Sequence, residues 1–369
     1  MPDIADLKEP MNNDIKFMKA ALKLSQKGLG FTEPNPLVGA VVVKDNRIVG
    51  HGYHARFGAP HAEQAALQNV DVQGTTLYVT LEPCVHFGKT PPCSDLILKK
   101  KVARVVVAMR DPNPLVHGKG ITTLKEHGLD VEVGLLEALA LKINRHYIKY
   151  MTSQRPYVTL KAGVTIDCKL TDKNRQSQWI TDESLREYSH SFRGEFSAIM
   201  VGVGTVINDN PLLTIRHSDW ADKSLTRVVL DSHNSLDTRL NIFNDQERFP
   251  LILFSATTAA NKTQKVKHHY FVPPNEDGVG LKLTQVLEVL HSLQIASVMV
   301  EGGGGLFDSF LRTQLYDEIV LSTAAKILGG QESVQFFASG TPIAEPVTLV
   351  DREIIPLETG YILRGFRPI

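Results

Sequence analysis

The sequence predicts two layered α/β domains in tandem. Three observations carry this. The chain has 369 residues, too many for one ordinary core and enough for two. Short apolar runs alternate with segments of helical periodicity, the pattern of helices packed on a largely parallel sheet. The alternation breaks near Gln154, where a proline follows a helical stretch and a strand pattern restarts. These signals place one domain at 11–150 and the other at 154–369.

The elements follow in order. Asp14 to Lys27 carries an apolar face of Ile15, Met18 and Leu22 with Phe17, Ala21 and Leu24, and reads as a helix stopped by Gly28. "LVGAVVVKDNRIVGHGYH" reads as two strands about an Asp45-Asn46 turn. "HAEQAALQNV" is a helix, "TTLYVTL" a strand ending at Glu82, and "CSDLILKKK" a short helix. "ARVVVAM" is a strand, "GKGITTLKEHG" a helix and "DVEVGLL" a strand, and one long helix over "EALALKINRHYIKYMTS" closes the domain. The second half opens with the strand "YVTLKAGVTID" and the helix "TDESLREYSHSFRGEF", with Thr181 or Asp182 as its cap. "SAIMVGVG", "TRVVLDS" and "LILFS" are strands, and "LTQVLEVLHSLQ" is a helix. "ASVMVEGGGG" is a strand entering a glycine turn, "LFDSFLRTQL" is a helix, and the tail is a hairpin. "KTQKVKHH" reads as a solvated basic face.

Composition narrows the function. Lys plus Arg equals Asp plus Glu at 40 each, so no global charge invites nucleic acid or an anionic membrane. No apolar run approaches the roughly 20 residues that span a bilayer. The acidic N-terminus lacks an apolar signal region, and Met11 offers an alternative start. Three cysteines, Cys84, Cys93 and Cys168, are too few for a disulfide framework and fit a reducing, cytoplasmic location.

One set of residues has the chemistry of a catalytic zinc site, which needs three protein ligands and an open position for water. His61, Cys84 and Cys93 supply three ligands. Glu63 stands beside them as a group that can take a proton from water and pass it to a leaving amine. His61 and Cys93 each open a predicted helix after a proline, and a helix N-terminus favours thiolate. A bare H-x-E is common and a lone cysteine is ordinarily core. H-x-E followed by "EPC" at a strand end is the signature of zinc-dependent nucleobase deaminases. That signature usually closes with Cys-x-x-Cys, and here the loop is longer, "CVHFGKTPPC".

A second set suits a nucleotide. In "VMVEGGGGLFDSF" a strand meets a glycine turn and a helix start, an arrangement whose N–H groups attract phosphate. The G-x-G-x-x-G pattern is absent, because Phe307 stands at the third glycine. "GVGTVI" fails in the same way at Ile207.

"PNPLVGAVVV", "HAE", "TLEPCVHFGKTPPC" and "DPNPLVHGKG" resemble the deaminase half of the bifunctional riboflavin-biosynthesis deaminase/reductases. "SQWIT", "FRGEFSAIMVGVGTVINDNPLLTIR" and "VEGGGG" resemble the reductase half of the same family. The resemblance implies an α/β chain with an N-terminal cytidine-deaminase-like three-layer domain and a C-terminal dihydrofolate-reductase-like domain. It implies zinc on His61, Cys84 and Cys93, with Glu63 as proton donor. Asn35, His54, His86 and Lys89 would hold the pyrimidine and its phosphoribosyl group. In the reductase, which uses NADPH, Val164, Trp179, Thr205, Asp209 and Ser232 would line the cofactor. Gly303, Gly304, Gly305, Leu306 and Phe307 would hold its phosphates. Ser177, Arg193, Leu213, Arg216 and Glu301 would contact substrate, the two arginines by gripping a phosphate monoester bidentately.

The expected partners are phosphoribosyl pyrimidines, and the chain is expected to form a homo-oligomer. The proton donor for reduction lies between Asp209 and a water. One departure concerns "IDCKL", where Cys168 replaces the family's glycine and would be strained at positive φ. Two rival readings remain: a nucleic-acid deaminase with an accessory domain, and a closed structural zinc module joined to a nucleotide-binding regulatory domain.

Overall fold

Glycines let two helices settle on opposite faces of the first sheet. A Cβ at Gly39 would lie 2.0 Å from the carbonyl oxygen of Ala21 in helix α1 (Asn13–Ser25). A Cβ at Gly52 would lie 2.6 Å from that of Ala62 in helix α2 (Ala62–Leu67). Gly39 opens strand β1 (Gly39–Lys44), and Gly52, on strand β2 (Arg47–Tyr53), pairs across from Ala40. Adjacent residues of a strand point to opposite faces, so α1 and α2 sandwich the sheet. This is the three-layer arrangement that the resemblance implied.

The computed structural model describes residues 13–85, 91–172, 180–257, 266–276, 278–330, 333–337, 343 and 345–368. It divides into two units, Met1–Ser153 and Gln154–Ile369. The first unit continues through β3 (Thr76–Leu81), α3 (Cys93–Lys99), β4 (Arg104–Met109), α4 (Lys119–Glu126), β5 (Asp130–Val133), α5 (Glu137–Ile143) and α6 (Arg145–Ser153). Its strand order is β2-β1-β3-β4-β5. The sheet is mixed rather than largely parallel. Asp45 and Asn46, at φ 49 and 59, fold β2 back on β1 in a tight hairpin, and β1 also runs antiparallel to β3. Only β3, β4 and β5 are mutually parallel.

Two helices differ from the sequence expectation. The stretch after residue 67 leaves the helix, because Gln68 turns extended at ψ 135 and Asn69 follows at φ 57. The long closing helix is broken at Asn144, whose carboxamide accepts from the Leu37 N–H at 2.8 Å and donates to the Leu37 carbonyl at 3.0 Å. That buried pairing competes with helix continuation and ties the break to the strand entry.

The second unit contains β6 (Tyr157–Thr165), α7 (Glu183–Arg193), β7 (Ala198–Gly202), α8 (Val203–Asp209), β8 (Thr226–Leu230), β9 (Leu251–Ser255) and β10 (His268–Phe271). It continues with α9 (Leu283–Ser292), β11 (Ser297–Val300), α10 (Gly304–Arg312), β12 (Glu318–Ala324), β13 (Val350–Leu357) and β14 (Gly360–Phe366). The order is β10-β9-β8-β7-β11-β6-β12-β14-β13, parallel up to β12 and antiparallel through the closing hairpin. Alternate residues feed two cores. Val158, Leu160, Ala198, Met200, Val298 and Val300 pack on one face. Ile199, Val201, Val229, Leu253 and Met299 pack on the other. A sheet buried on both faces reads as unbroken apolar runs.

Asp182 caps α7, its side chain accepting from the Leu185 N–H at 3.0 Å. Cys168 does stand at φ 56, exposed, in a turn closed by its N–H to the Thr165 carbonyl at 2.9 Å. Asp167 beside it accepts from the main chain at Leu328 and Gly329, which fastens the strained turn to the chain after β12. Among the described residues no helix is long and apolar enough to cross a membrane.

Candidate functional site

Glu82 fixes the end of β3 and so aims Cys84. Its carboxylate accepts from the main-chain N–H groups of Asp111 (3.2 Å), Gly118 (2.9 Å), Gly120 (2.9 Å) and Ile121 (3.2 Å). A carboxylate at the first turn of α4 satisfies orphan donors and complements the helix dipole. Two residues on, Cys84 receives the N–H of Cys93 on its sulfur at 3.3 Å. Cys93 opens α3, and Ser94 binds the Cys84 carbonyl through both its N–H and its hydroxyl. His61 is the residue before α2, and its N–H donates to Gln64 Oε1 at 3.3 Å.

The three candidate ligands converge. His61 Nδ1 lies 3.3 Å from Cys93 Sγ and 3.6 Å from Cys84 Sγ, and all three donor atoms fall within 4.8 Å of one another. Tetrahedral zinc with roughly 2.3 Å to sulfur and 2.0 Å to nitrogen separates S from N by about 3.5 Å. One imidazole and two thiolates are a zinc donor set, so the residues fit the metal. Hydrogen bonds from the Cys93 thiol and from His61 pull the Cys84 thiol far below its ordinary range, while Cys93, holding the shared proton, is pushed up. A cation among the three would take that proton's place.

Glu63 sits in the first turn of α2, 4% exposed and outside the converging trio. Burial, and then the Cys84 thiolate, push its carboxyl up to about 7.

His54 and Asn35 adjoin the same centre. His54 Nδ1 lies 3.1 Å from the Pro60 carbonyl, which can only accept, so that nitrogen carries the hydrogen. Nε2 then offers a lone pair to Asn35 Nδ2 at 3.1 Å. The exchange fixes the Asn35 amide, with Nδ2 turned toward the histidine. His86 and Lys89 lie outside the described residues.

The second unit holds a cleft of about 640 Å³. Thr205 and Asp209 of α8 line it, with Gly303, Gly305 and Leu306 at the glycine turn. Arg193, Leu213, Arg216 and Glu301 line it too. Gly302 requires glycine, since its φ is +137 and a Cβ would lie 3.0 Å from the Thr205 hydroxyl. Gly303 and Gly305 face open space at the N-terminus of α10, room for a phosphate to approach the main chain. The turn thus fits a dinucleotide cofactor.

Some sequence-picked positions do not line the cleft. Val164 and Phe307 direct their side chains into the core, at 1% and 0% exposure. Gly304 is buried in the first turn of α10. Ser232 lies beyond the lining, and Ser177 and Trp179 fall outside the described residues.

Arg193 does not offer its fork to a phosphate as the sequence suggested. Its Nε and Nη2 donate in parallel to the two Glu301 oxygens at 3.0 and 2.8 Å, and Nη1 donates to the Thr214 carbonyl at 2.8 Å. Burial opposes ionisation of Glu301, but Arg193 and then Lys161 outweigh it and hold the carboxyl down at about 2. Leu213 occupies φ 50, unusual for leucine.

Lys161 and His190 also line the cleft and were not singled out from sequence. The signal for Lys161 was a lone cation inside an apolar strand. Burial lowers its ammonium, against the attraction of Glu301.

The buried Glu63 beside a His/Cys/Cys group, in a three-layer unit, defines a zinc-dependent deaminase unit; the glycine-lined cleft of the second unit defines a nucleotide-dependent reductase unit. Comparison with known proteins agrees. Residues 11–109 match the cytidine and deoxycytidylate deaminase zinc-binding region, and 156–363 match the RibD C-terminal domain. The riboflavin biosynthesis protein RibD of Aquifex aeolicus is 42% identical over 324 residues, covering 86% of this chain and 88% of its own. That of Escherichia coli is 37% identical over 329 residues, covering 86% and 89%. A crystal structure of a diaminohydroxyphosphoribosylaminopyrimidine deaminase/5-amino-6-(5-phosphoribosylamino)uracil reductase from Thermotoga maritima superposes with a TM-score of 0.85. It shows 36% identity and covers 97% of this chain and 99% of that one. Acinetobacter baumannii RibD gives a TM-score of 0.86 at 34% identity, covering 97% and 99%.

The chain belongs to the RibD family. It is a bifunctional deaminase/reductase of riboflavin biosynthesis, with a zinc-binding deaminase domain and an NADPH-dependent reductase domain.

Proposed function

We propose that the first domain, 11–150, hydrolytically deaminates 2,5-diamino-6-(5-phosphoribosylamino)pyrimidin-4(3H)-one to 5-amino-6-(5-phosphoribosylamino)uracil. The second, 154–369, then reduces the ribosyl side chain of that product to ribityl. His61, Cys84 and Cys93 hold zinc, which when bound supplies a Lewis acid and an activated water near neutral pH. Glu63 would take a proton from the attacking water and pass it to the departing amine. Asn35 Oδ1, held outward by His54, accepts from an N–H of the pyrimidine. The observation that carries this reading is the convergence of three donor atoms within 4.8 Å beside a buried carboxylate that is not one of them. A closed structural zinc site would have no use for that carboxylate.

In the reductase, NADPH supplies the hydride. Gly303 and Gly305 would receive its phosphates at the start of α10, and Thr205 and Asp209 would border it. Carry-over from the family adds Val164, Trp179, Ser232, Gly304, Leu306 and Phe307 to the cofactor side, and Ser177 to the substrate side. Glu301, clamped by Arg193, and Leu213 meet the pyrimidine end, and Arg216 meets the phosphate. Support comes from the cleft that Thr205, Asp209, Leu213, Arg216, Glu301 and Leu306 line together and from its opening onto the glycine turn at Gly303 and Gly305.

The chain is further proposed to work in the cytoplasm as a homo-oligomer. Its three unpaired cysteines suit a reducing compartment. Light scattering on the purified chain tests the assembly.

Metal removal tests the division of labour. The chain should hold about one zinc, and chelation, or Cys84→Ser, should remove it and stop ammonia release. NADPH oxidation on the already deaminated uracil should continue. Deamination by a zinc-free chain would contradict the ligand set.

A further inference from the structure

His190 meets arginines on both of its ring nitrogens. Arg216 directs Nε and Nη2 at His190 Nε2, at 3.2 and 2.8 Å. Arg193 Nη1 lies 3.4 Å from His190 Nδ1. A neutral imidazole has one lone pair and one N–H. The two Arg216 contacts place the lone pair on Nε2, so Nδ1 carries its hydrogen toward a second donor. No tautomer satisfies both arginines. The fork of Arg216, the edge that matches two oxygens of a phosphate, is spent on a single nitrogen.

The surroundings explain why the ring is neutral. His190 lies on α7 one turn before Arg193, and Lys161 of β6, Arg216 and Glu301 also face it. Burial, then Arg193 and Arg216, push the imidazole down to about 4. Glu301 alone opposes them, and its carboxylate is already clamped by Arg193.

We propose that His190 holds the place of the substrate's phosphate in the ligand-free reductase cleft, and turns from hydrogen-bond acceptor to donor when a phosphate monoester takes the fork of Arg216. This rests on the reading that Arg216 meets the phosphate. The incoming dianion reverses the local field. Nε2 takes a proton from solvent and donates it to a phosphate oxygen, and Nδ1–H is relieved of its donor-to-donor contact as Arg193 and the ring readjust. Binding is therefore coupled to proton uptake. The cleft discriminates phosphorylated pyrimidines from their dephosphorylated forms through a histidine as well as an arginine.

Calorimetric titration of the full chain with ribose 5-phosphate, in buffers of different ionisation heat, tests this. The wild type should take up a net fraction of a proton at pH 7 beyond that of His190→Gln, which keeps an acceptor but cannot titrate. The variant should bind roughly tenfold more weakly at pH 6, and the gap should narrow toward pH 8, where protonating His190 costs more. The phosphate's own titration is common to both proteins and cancels. Retained NADPH binding shows that the variant is folded. Equal proton counts with equal affinities across that range would overturn the proposal, as would a wild type that binds no ribose 5-phosphate. Arg216→Gln separates the two readings. If it binds as tightly as wild type, the phosphate assignment itself fails. If it binds weakly while His190→Gln matches wild type, only the present inference fails.

Discussion

Arg193 and Glu301 form a side-on, doubly hydrogen-bonded pair, with distances of 3.0 and 2.8 Å, inside the reductase cleft. The pair is largely buried, with side chains 14% and 15% exposed. Such a pair is costly to break from one side, because the remaining charge stays buried.

This gives a pH prediction. The Glu301 carboxyl falls from an ordinary 4.5 to about 2 in the folded chain. A lowered carboxyl contributes stability that is fully present above the unfolded value and lost as pH falls through the folded one. The wild type should therefore lead Glu301→Gln by about 3 kcal/mol above pH 5, with the lead shrinking between pH 4.5 and about 2. Denaturant unfolding of both proteins across that range checks it. A lead independent of pH would contradict the ion pair.

Glu82 is expected to act as a fastener for the metal site. Glutamine there keeps one oxygen and turns an amide N–H₂ against main-chain donors at Gly120 and Ile121, or at Asp111 and Gly118. Glu82→Gln should cost about 2–4 kcal/mol, through donors left without an acceptor. It should also speed loss of zinc to a competing chelator. Thermal unfolding and metal-release kinetics read both effects, and wild-type values in both would rule the role out.

The His54–Asn35 exchange predicts an asymmetric outcome. Asn35→Leu removes the acceptor proposed for the pyrimidine N–H and leaves the His54 lone pair without its donor. Deamination should fall roughly 10-fold or more, as expected for one substrate hydrogen bond of about 1.4 kcal/mol. The loss should lie mostly in KM, with reduction of the uracil unchanged. Unaltered deamination kinetics would show that Asn35 does not face the substrate.

The deaminase centre was legible because its chemistry is concentrated in short segments. His61, Glu63, Cys84 and Cys93 announce themselves by residue type and by flanking prolines. The reductase cleft was less legible, because its polar groups hide in apolar patterns. Lys161 is one residue of a strand whose neighbours Leu160 and Ala162 enter the core, and only strand alternation shows that it faces the other way. His190 is an ordinary helix histidine until Arg216, 26 positions later, folds against it. The bidentate edge of Arg193 could not be assigned, since its true partner, Glu301, is 108 positions away. Helix α8 was hidden by glycines that break helical periodicity. Strand β12 escaped notice between a helix and a loop. The break at Asn144 depends on Leu37, 107 residues distant.

Glu63→Gln tests the central claim, that one chain carries two chemically independent centres and that Glu63 moves the proton in the first. Glutamine keeps the size and hydrogen-bonding shape but removes the titratable proton. Each substrate is supplied separately to the zinc-loaded protein, and ammonia release and NADPH oxidation are followed. Zinc should be retained, ammonia release from the diaminopyrimidine should fall roughly 100- to 10,000-fold, and NADPH oxidation on the uracil analogue should proceed at the wild-type rate. Ammonia release at the wild-type rate would contradict the role of Glu63, and an equal loss of both activities would contradict the independence of the two centres.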